Sequence, residues 1–160
     1  MNDTDEIITQ LASVLRARGW TLAAAESCTG GLISGACTNQ AGSSDWFERG
    51  FVTYSNAAKT ELLDVPAALI ESHGAVSEAV ARAMVQGALA HSHAQAAVAV
   101  TGVAGPAGGT ADKPVGTVWF GWSTAGTVRT ECRRFEGDRA AVRAATVRYA
   151  LQNLLILLRG

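Results

Sequence analysis

The chain has 160 residues, about the length of one typical domain, which excludes a multidomain organisation. Hydrophobic residues make up 48% and charged residues only 17%, against an average near 25%, so disorder is excluded and an oligomer interface is expected. The formal charge of -1 argues against broad binding of nucleic-acid phosphates, although residues 129–160 carry seven Arg against three acidic side chains, an excess typical of an anion site.

The first half of the chain predicts alternating helices and strands. Apolar residues recur at helical spacing after Asp3, and Glu6 completes a capping-box-like start. Asp64 stands where the end of a helix favours a left-handed residue, a conformation that Asp tolerates. The predicted elements are a helix over 4–18, a strand over 21–25, a helix from the turn at 29–31 to about 40, a strand over 47–54, a helix over 56–63 and one or two helical turns over 66–72.

The second half predicts a buried strand, a glycine-rich loop, a hairpin and a long helix. Ser77 is the N-cap of a helix that ends near His91. Because strands and helices alternate early and a hairpin comes late, we expect an α/β fold in one domain over 1–160, with a mixed sheet covered by helices on both faces. The remaining elements are a strand over 96–100, a loop over 101–114, strands over 116–122 and 127–135 joined by Ser-Thr-Ala-Gly, and a helix over 138–158.

Cysteine usage and the N-terminus predict a cytoplasmic protein. The three cysteines, Cys28, Cys37 and Cys132, are odd in number and lack CxxC spacing, and only three His accompany them, so a disulfide framework and a zinc site are not suggested. The chain begins with acidic residues where a signal peptide needs a basic start, and no apolar run approaches the roughly 20 residues of a membrane helix. We therefore expect no membrane contact.

A first candidate site lies at residues 26–31, where a strand passes into a helix. Unpaired N–H groups at a helix N-terminus can bind an anion or a developing oxyanion, and the pair Gly30-Gly31 would let a ligand approach the backbone. Ser27 would stand beside these donors, as a nucleophile does in a strand-turn-helix elbow. A helix-capping Ser or Thr explains the same pattern equally well.

Lys59 is a second candidate, five residues after Tyr54. The chain has only two Lys against eleven Arg, and a guanidinium cannot lose its proton, so a general base at this site requires Lys. The spacing to Tyr54 and the lack of a dinucleotide fingerprint exclude a short-chain dehydrogenase. The alternative interpretation is an exposed helix lysine, with Tyr54 packing at the end of a strand.

Two further segments predict ligand binding. The loop that starts with Thr101 and Gly102 leaves the carboxyl end of a buried strand, the usual place for a ligand in α/β proteins. Arg139 and Arg143 lie one turn apart after the N-cap Asp138, a spacing that can hold a phosphate. A capped helix with a solvated arginine face is the alternative for that second segment.

Together these motifs resemble the C-terminal domain of the CinA (competence/damage-inducible protein A) family over nearly the whole chain. The resemblance rests on ordered stretches that are specific in combination. They are Ala25-Glu26-Ser27-Cys28-Thr29-Gly30-Gly31, Tyr54-Ser55-Asn56 with Lys59, Gly74-Ala75-Val76-Ser77, the loop over 101–109, Lys113-Pro114-Val115-Gly116-Thr117-Val118 and Phe135-Glu136-Gly137-Asp138-Arg139.

The resemblance implies a three-layer α/β/α sandwich with a mixed, mostly parallel sheet. It also implies an amidohydrolase that converts nicotinamide mononucleotide to nicotinic acid mononucleotide and ammonia in pyridine nucleotide recycling, without metal or other cofactor. By that resemblance Ser27 is the nucleophile and Lys59 the general base, Tyr54 lies beside them, and Thr101 and Gly102 line the substrate.

On this basis the sequence yields one hypothesis for the mechanism and one for a different class of function. In the first, N–H groups of Thr29, Gly30 and Gly31 hold the oxyanion, and Arg139 or Arg143 holds the phosphate. In the second, the chain is a non-catalytic nucleotide-binding module linked to a competence or DNA-damage response. In either case we expect a homodimer that binds a small nucleotide and no nucleic acid.

Overall fold

The computed structural model describes residues 3–160, in which six helices surround a five-stranded sheet. The N-terminal two residues of the predicted domain lie outside this description. The helices are α1 (Asp3–Arg18), α2 (Leu32–Thr38), α3 (Asn56–Leu63), α4 (Ala67–His73), α5 (Glu78–Ala90) and α6 (Arg139–Arg159), and the strands are β1 (Leu22–Glu26), β2 (Phe47–Val52), β3 (Ala96–Gly102), β4 (Thr117–Thr124) and β5 (Thr127–Arg134).

The sheet is mixed, with the strand order β2-β1-β3-β4-β5. Strands β2, β1 and β3 are parallel, so their carboxyl ends share one edge of the sheet. Strands β4 and β5 extend it as an antiparallel hairpin. This confirms the predicted α/β class and the mixed sheet, whose core is parallel.

Helices cover both faces of the sheet because the central strands are apolar on both sides. In β1, Leu22 and Ala24 pack with α1, α2 and α6, while Ala23 and Ala25 pack with α3, α4 and α5. Side chains alternate along a strand, so one run of small apolar residues serves two cores. The result is the three-layer α/β/α sandwich that the family resemblance implied.

Several element boundaries differ from the prediction for local reasons. Strand β2 ends at Val52, two residues early, because the chain turns towards Ser55, whose hydroxyl accepts the Ala58 N–H as the N-cap of α3. A short 3₁₀ helix over Ser43–Asp45 was not predicted, since three polar residues carry no hydrophobic period.

The hairpin turn is tighter than predicted. Only Ala125 and Gly126 separate the strands, both with positive φ (51° and 82°), and Thr124 pairs with Thr127. Asp64 adopts the predicted left-handed conformation at the end of α3, with φ 57°. Among the helices of residues 3–160, none is both long and apolar enough to cross a membrane.

Candidate active site

The carboxyl ends of β1, β2 and β3 meet at a cavity of about 300 Å³. The residues that follow the parallel strands lie at this edge of the sheet, the usual place for a ligand in α/β proteins. The sequence-predicted residues that line it are Ser27, Tyr54, Lys59, Thr101, Gly102 and Arg139. Four others, Thr29, Gly30, Gly31 and Arg143, do not line it.

Ser27 is the first residue after β1 and is fixed by the backbone. Its N–H donates to the Val100 carbonyl at 3.2 Å, and its own carbonyl accepts the Gly30 N–H at 3.1 Å. The side chain is 8% exposed and lines the cavity. The hydroxyl therefore lies at the cavity on a turn whose backbone is hydrogen-bonded at both ends.

The N-terminus of α2 is taken by a side chain of the protein itself. The Glu26 carboxylate, fully buried, accepts the Ile33 N–H at 2.8 Å and the Ser34 N–H at 2.9 Å. It also accepts the hydroxyls of Thr29 at 2.6 Å and Ser34 at 2.7 Å. These helix amides are thus unavailable to a ligand, contrary to the expectation of an open anion site at this turn.

Sequence reasoning did not identify Glu26 as part of the site. One sequence signal could have identified Glu26. It is an acidic residue at the end of a strand, separated by one short loop from a helix whose N-cap residue has no capping side chain. Gly31, the N-cap of α2, offers no side-chain cap, so another group had to satisfy these donors.

Lys59 points inward from the first turns of α3 and is only 1% exposed. Its Nζ lies 3.0 Å from Ser27 Oγ, 2.9 Å from the Thr53 carbonyl oxygen and 3.3 Å from the Tyr54 carbonyl oxygen. Burial lowers the pKa of this amine below its ordinary value, against a smaller opposing effect of Cys28. The interpretation as an exposed helix lysine is therefore wrong.

These three contacts define what the amine can do when it is neutral. A neutral amine has two N–H donors and one lone pair, and the two carbonyls of Thr53 and Tyr54 accept only hydrogens. The remaining tetrahedral position faces Ser27 Oγ. The arrangement therefore presents a lone pair to a hydroxyl at the distance over which a general base takes a proton.

Tyr54 and Arg139 form the opposite wall. The Arg139 guanidinium donates to the Tyr54 hydroxyl at 3.1 Å and to the Gly105 carbonyl at 2.9 Å. The Tyr54 side chain is 62% exposed, so it does not pack at the end of β2 as the alternative interpretation required. An arginine and a phenol hydroxyl thus face the mouth of the cavity.

Thr101 and Gly102, the last two residues of β3, also line the cavity. The Thr101 hydroxyl donates to the Ala75 carbonyl at 3.0 Å, which ties the end of β3 to the segment between α4 and α5. Gly102 packs so closely against β4 that a Cβ there would lie 2.7 Å from the Val118 side chain. Both residues shape the cavity, and the Thr101 hydroxyl is already paired within the protein.

Arg143 lies behind the Ser27 turn. Its Nε donates to the Cys28 carbonyl at 3.0 Å and its Nη2 to the Thr29 carbonyl at 3.1 Å. Although Arg139 and Arg143 are one helical turn apart, they reach different elements. The predicted joint phosphate site is therefore not formed by this pair.

Cys28 is the other nucleophilic side chain in the cavity. Burial raises the pKa of its thiol to about 11, so the thiol stays protonated at neutral pH and is a weak nucleophile. Within residues 3–160, no three His, Cys, Asp or Glu side chains are grouped as metal ligands. The chemistry that these residues can support centres on Ser27 and Lys59.

Comparison with known proteins shows similarity to one family. The model of the CinA C-terminal domain family matches residues 4–158. The chain is 53% identical to nicotinamide-nucleotide amidohydrolase PncC of Enterobacter agglomerans, over 94% of this chain and 92% of that protein. It is 50% identical to the PncC of Escherichia coli K12, over 96% of this chain and 95% of that protein.

Solved structures show the same fold. The competence/damage-inducible protein CihA from Agrobacterium tumefaciens superposes with a TM-score of 0.95 and is 44% identical, with 100% of this chain and 98% of that chain covered.

Proposed function

The chain belongs to the CinA C-terminal domain family, and from this membership we propose that it hydrolyses the carboxamide of nicotinamide mononucleotide to nicotinic acid mononucleotide and ammonia. The observation that carries the proposal is the 3.0 Å contact between Lys59 Nζ and Ser27 Oγ inside a cavity. Two relatives that match nearly the whole chain bear the name nicotinamide-nucleotide amidohydrolase. The product would re-enter pyridine nucleotide recycling.

In the acylation step, neutral Lys59 takes the Ser27 proton as Oγ attacks the carboxamide carbon. The C–O bond forms and the carbonyl π electrons move to oxygen. The pyridinium charge of the substrate favours this attack. Collapse of the tetrahedral intermediate breaks the C–N bond, and the leaving nitrogen takes the proton from Lys59 to depart as ammonia.

Deacylation runs along the reverse path with water in place of ammonia. Lys59, again neutral, takes a proton from water as it attacks the acyl carbon, and returns it to Ser27 Oγ as the ester bond breaks. Tyr54 orients the ring or the moving proton. No step requires a metal ion, and we propose a metal-independent amidase.

The oxyanion needs donors within the turn that follows Ser27. The Gly30 N–H is engaged with the Ser27 carbonyl, and Thr29 and Gly31 do not line the cavity. Of the residues after Ser27, Cys28 does line it, and we assign the oxyanion donor to its backbone N–H.

The phosphate is proposed to meet Arg139, together with backbone donors of the glycine-rich loop. Arg139 lines the cavity and faces its mouth, and its guanidinium can form a bidentate contact with a phosphate. Free nicotinamide should be a poor substrate, because binding energy from the ribose and phosphate supports the chemistry.

The proposed location is the cytoplasm. The three cysteines of the chain are all free, and the two most buried of them line or adjoin the core, which fits a reducing compartment.

An ammonia-release assay with nicotinamide mononucleotide tests the proposal. Wild-type protein and the Ser27→Ala variant are compared, each with and without a chelator. Release that survives the chelator and disappears in Ser27→Ala supports a metal-independent serine amidase. A folded wild type that binds the nucleotide but releases no ammonia would instead favour the non-catalytic module linked to competence or DNA damage.

A further inference from the structure

We propose that Arg143 is a positioning residue that fixes the Ser27 turn, a role that rests on the proposed amidase function. The arginine lies in α6, far along the chain from Ser27, and is half-buried. Its guanidinium contacts the two consecutive carbonyls that follow the nucleophile, those of Cys28 and Thr29. It acts on the reaction through these peptides and touches no substrate.

The two contacts fix the orientation of two peptide planes. In a trans peptide the N–H points opposite to the C=O, so a carbonyl held by Arg143 turns the next amide the other way. The Cys28 carbonyl thereby sets the direction of the Thr29 N–H. The Thr29 carbonyl sets that of the Gly30 N–H, which donates to the Ser27 carbonyl and closes the turn.

The turn is built to receive this side chain. Gly30 adopts φ +56°, and a Cβ added there would lie 3.3 Å from Arg143 Nη2. A larger residue would meet the guanidinium as well as the backbone restriction on left-handed residues. The glycine pair of the motif thus admits a protein side chain at Gly30, where the sequence predicted the approach of a ligand.

Glu26 holds the same turn from the other end. Its carboxylate binds the Thr29 hydroxyl and the first amides of α2, so the loop between β1 and α2 is held at both sides. Arg143 holds carbonyls and Glu26 holds donors, with no ion pair between the two side chains. Loss of Arg143 therefore removes the donor to the Cys28 carbonyl, while the Thr29 carbonyl keeps the Leu32 N–H at 3.0 Å and α2 stays attached.

The test separates positioning from phosphate binding by using substrates with and without a phosphate. Arg143→Met removes both donors and keeps an unbranched side chain. We expect kcat to fall by about ten- to a hundred-fold for nicotinamide mononucleotide and by the same factor for nicotinamide riboside, since small displacements of a nucleophile cost rates of this order. The KM of Arg143→Met should stay within about two-fold of the wild-type value. Arg143→Lys retains one donor group, so its kcat should lie between those of wild type and Arg143→Met.

Arg148→Met is the matched control, because Arg148 is on the same helix and pairs with Asp3 away from the cavity. Its kcat and KM on both substrates should equal those of the wild type. A preferential loss on the phosphorylated substrate in Arg143→Met, seen as a raised KM, would assign Arg143 to the phosphate and overturn the proposal. Unchanged kcat in Arg143→Met would overturn it too.

A second measurement does not depend on the substrate or on the amount of folded protein. A fluorophosphonate probe phosphonylates an active serine as Oγ displaces fluoride, and its labelling rate reports the nucleophile itself. Arg143→Met should label to the wild-type end point at a rate at least ten-fold lower. A wild-type rate would overturn the proposal even if nicotinamide mononucleotide is not the substrate, whereas a wild type that neither labels nor releases ammonia would overturn the proposed function and this inference together.

Discussion

At the scale of single residues, two backbone carbonyls fix the orientation of the Lys59 amine. The Thr53 and Tyr54 carbonyls leave one direction for a lone pair, and that direction leads to Ser27 Oγ. Lys59→Arg keeps a basic side chain, but the guanidinium cannot lose a proton at any pH used for assay. We expect at least a thousand-fold loss of kcat/KM, measured by ammonia release, with the variant still folded by circular dichroism.

The charge-neutral variant Lys59→Met serves as the control for that loss. It should be as inactive as Lys59→Arg, because both lack a base. Near-normal turnover of Lys59→Arg would contradict the assignment of Lys59 as the base.

The pH dependence follows from the lowered pKa of Lys59. Because the base must be neutral, kcat/KM should rise with pH through the folded-state pKa, which lies below the ordinary 10.5. In the same window the unfolded chain binds a proton that the folded chain does not, so the free energy of unfolding also rises with pH up to the ordinary value. Rate profiles and urea titrations on wild type measure the two effects.

The pH dependence of stability can be checked in a variant that lacks the Lys59 amine. In Lys59→Met the rise of stability over this window should be lost relative to wild type. A wild-type kcat/KM that shows no rise at any pH below 10.5 would show that Lys59 is not the titrating base.

Arg139 carries the prediction for substrate affinity. A bidentate charged contact contributes about 1.5–3 kcal/mol, so Arg139→Ala should raise KM for nicotinamide mononucleotide by about ten- to a hundred-fold. Nicotinamide riboside lacks the phosphate, and its KM should change much less. Initial-rate kinetics on both substrates check this, with Arg148→Ala as the control, and an unchanged KM for the nucleotide would place the phosphate elsewhere.

Single residues also mark the limit of sequence reasoning about the site. Composition and motifs predicted Ser27 and Lys59 as site residues, and both line the cavity. Helical spacing treated Arg139 and Arg143 alike, because period alone does not say which loop each guanidinium reaches. That depends on tertiary contacts between α6 and two distant segments, which no local pattern encodes.

At the scale of elements, the β4–β5 hairpin contains a local conflict between sequence and geometry. The two-residue turn needs positive φ at both positions, where Asn-Gly is favoured, yet its first residue is Ala125 with φ 51°. Ala125→Asn should raise the free energy of unfolding by about 1 kcal/mol, since Asn tolerates this region better than Ala. Urea unfolding with an unchanged m-value measures it.

The turn is remote from the cavity lining, so turnover of Ala125→Asn should equal that of wild type. A variant of equal or lower stability would contradict the strain argument.

Most elements were predictable because hydrophobic period and end signals agree. Ser77 and Asp138 cap their helices as predicted, with hydroxyl and carboxylate oxygens that accept the Val80 and Ala141 N–H groups. The elements that differ are those fixed by pairing. Strand β2 pairs with β1 up to Val52, and β4 pairs with β5 up to Thr124 and Thr127; this pairing joins residues that sequence patterns treat separately.

At the scale of the whole molecule, the low share of charged residues leads to a prediction about assembly. Leu32, the first residue of α2, and Val52, the last residue of the edge strand β2, are 43% and 48% exposed. Exposed apolar side chains beside an unpaired edge favour self-association. We expect a homodimer, and multi-angle light scattering measures its mass, which a monomer at micromolar concentration would contradict.

The buried Glu26 carboxylate has a consequence for inhibition. A helix start usually attracts sulfate or phosphate from solution, but at α2 the Glu26 side chain already accepts the Ile33 and Ser34 N–H groups. Simple oxyanions should therefore not bind at the start of α2, and should compete with the substrate only at Arg139 and at the proposed oxyanion donor beside Ser27. An inhibitor that joins a phosphate mimic to a serine-directed electrophile would therefore depend on Arg139 for its anionic end and on Ser27 for its electrophile, and the positive end of α2 would add nothing to its affinity.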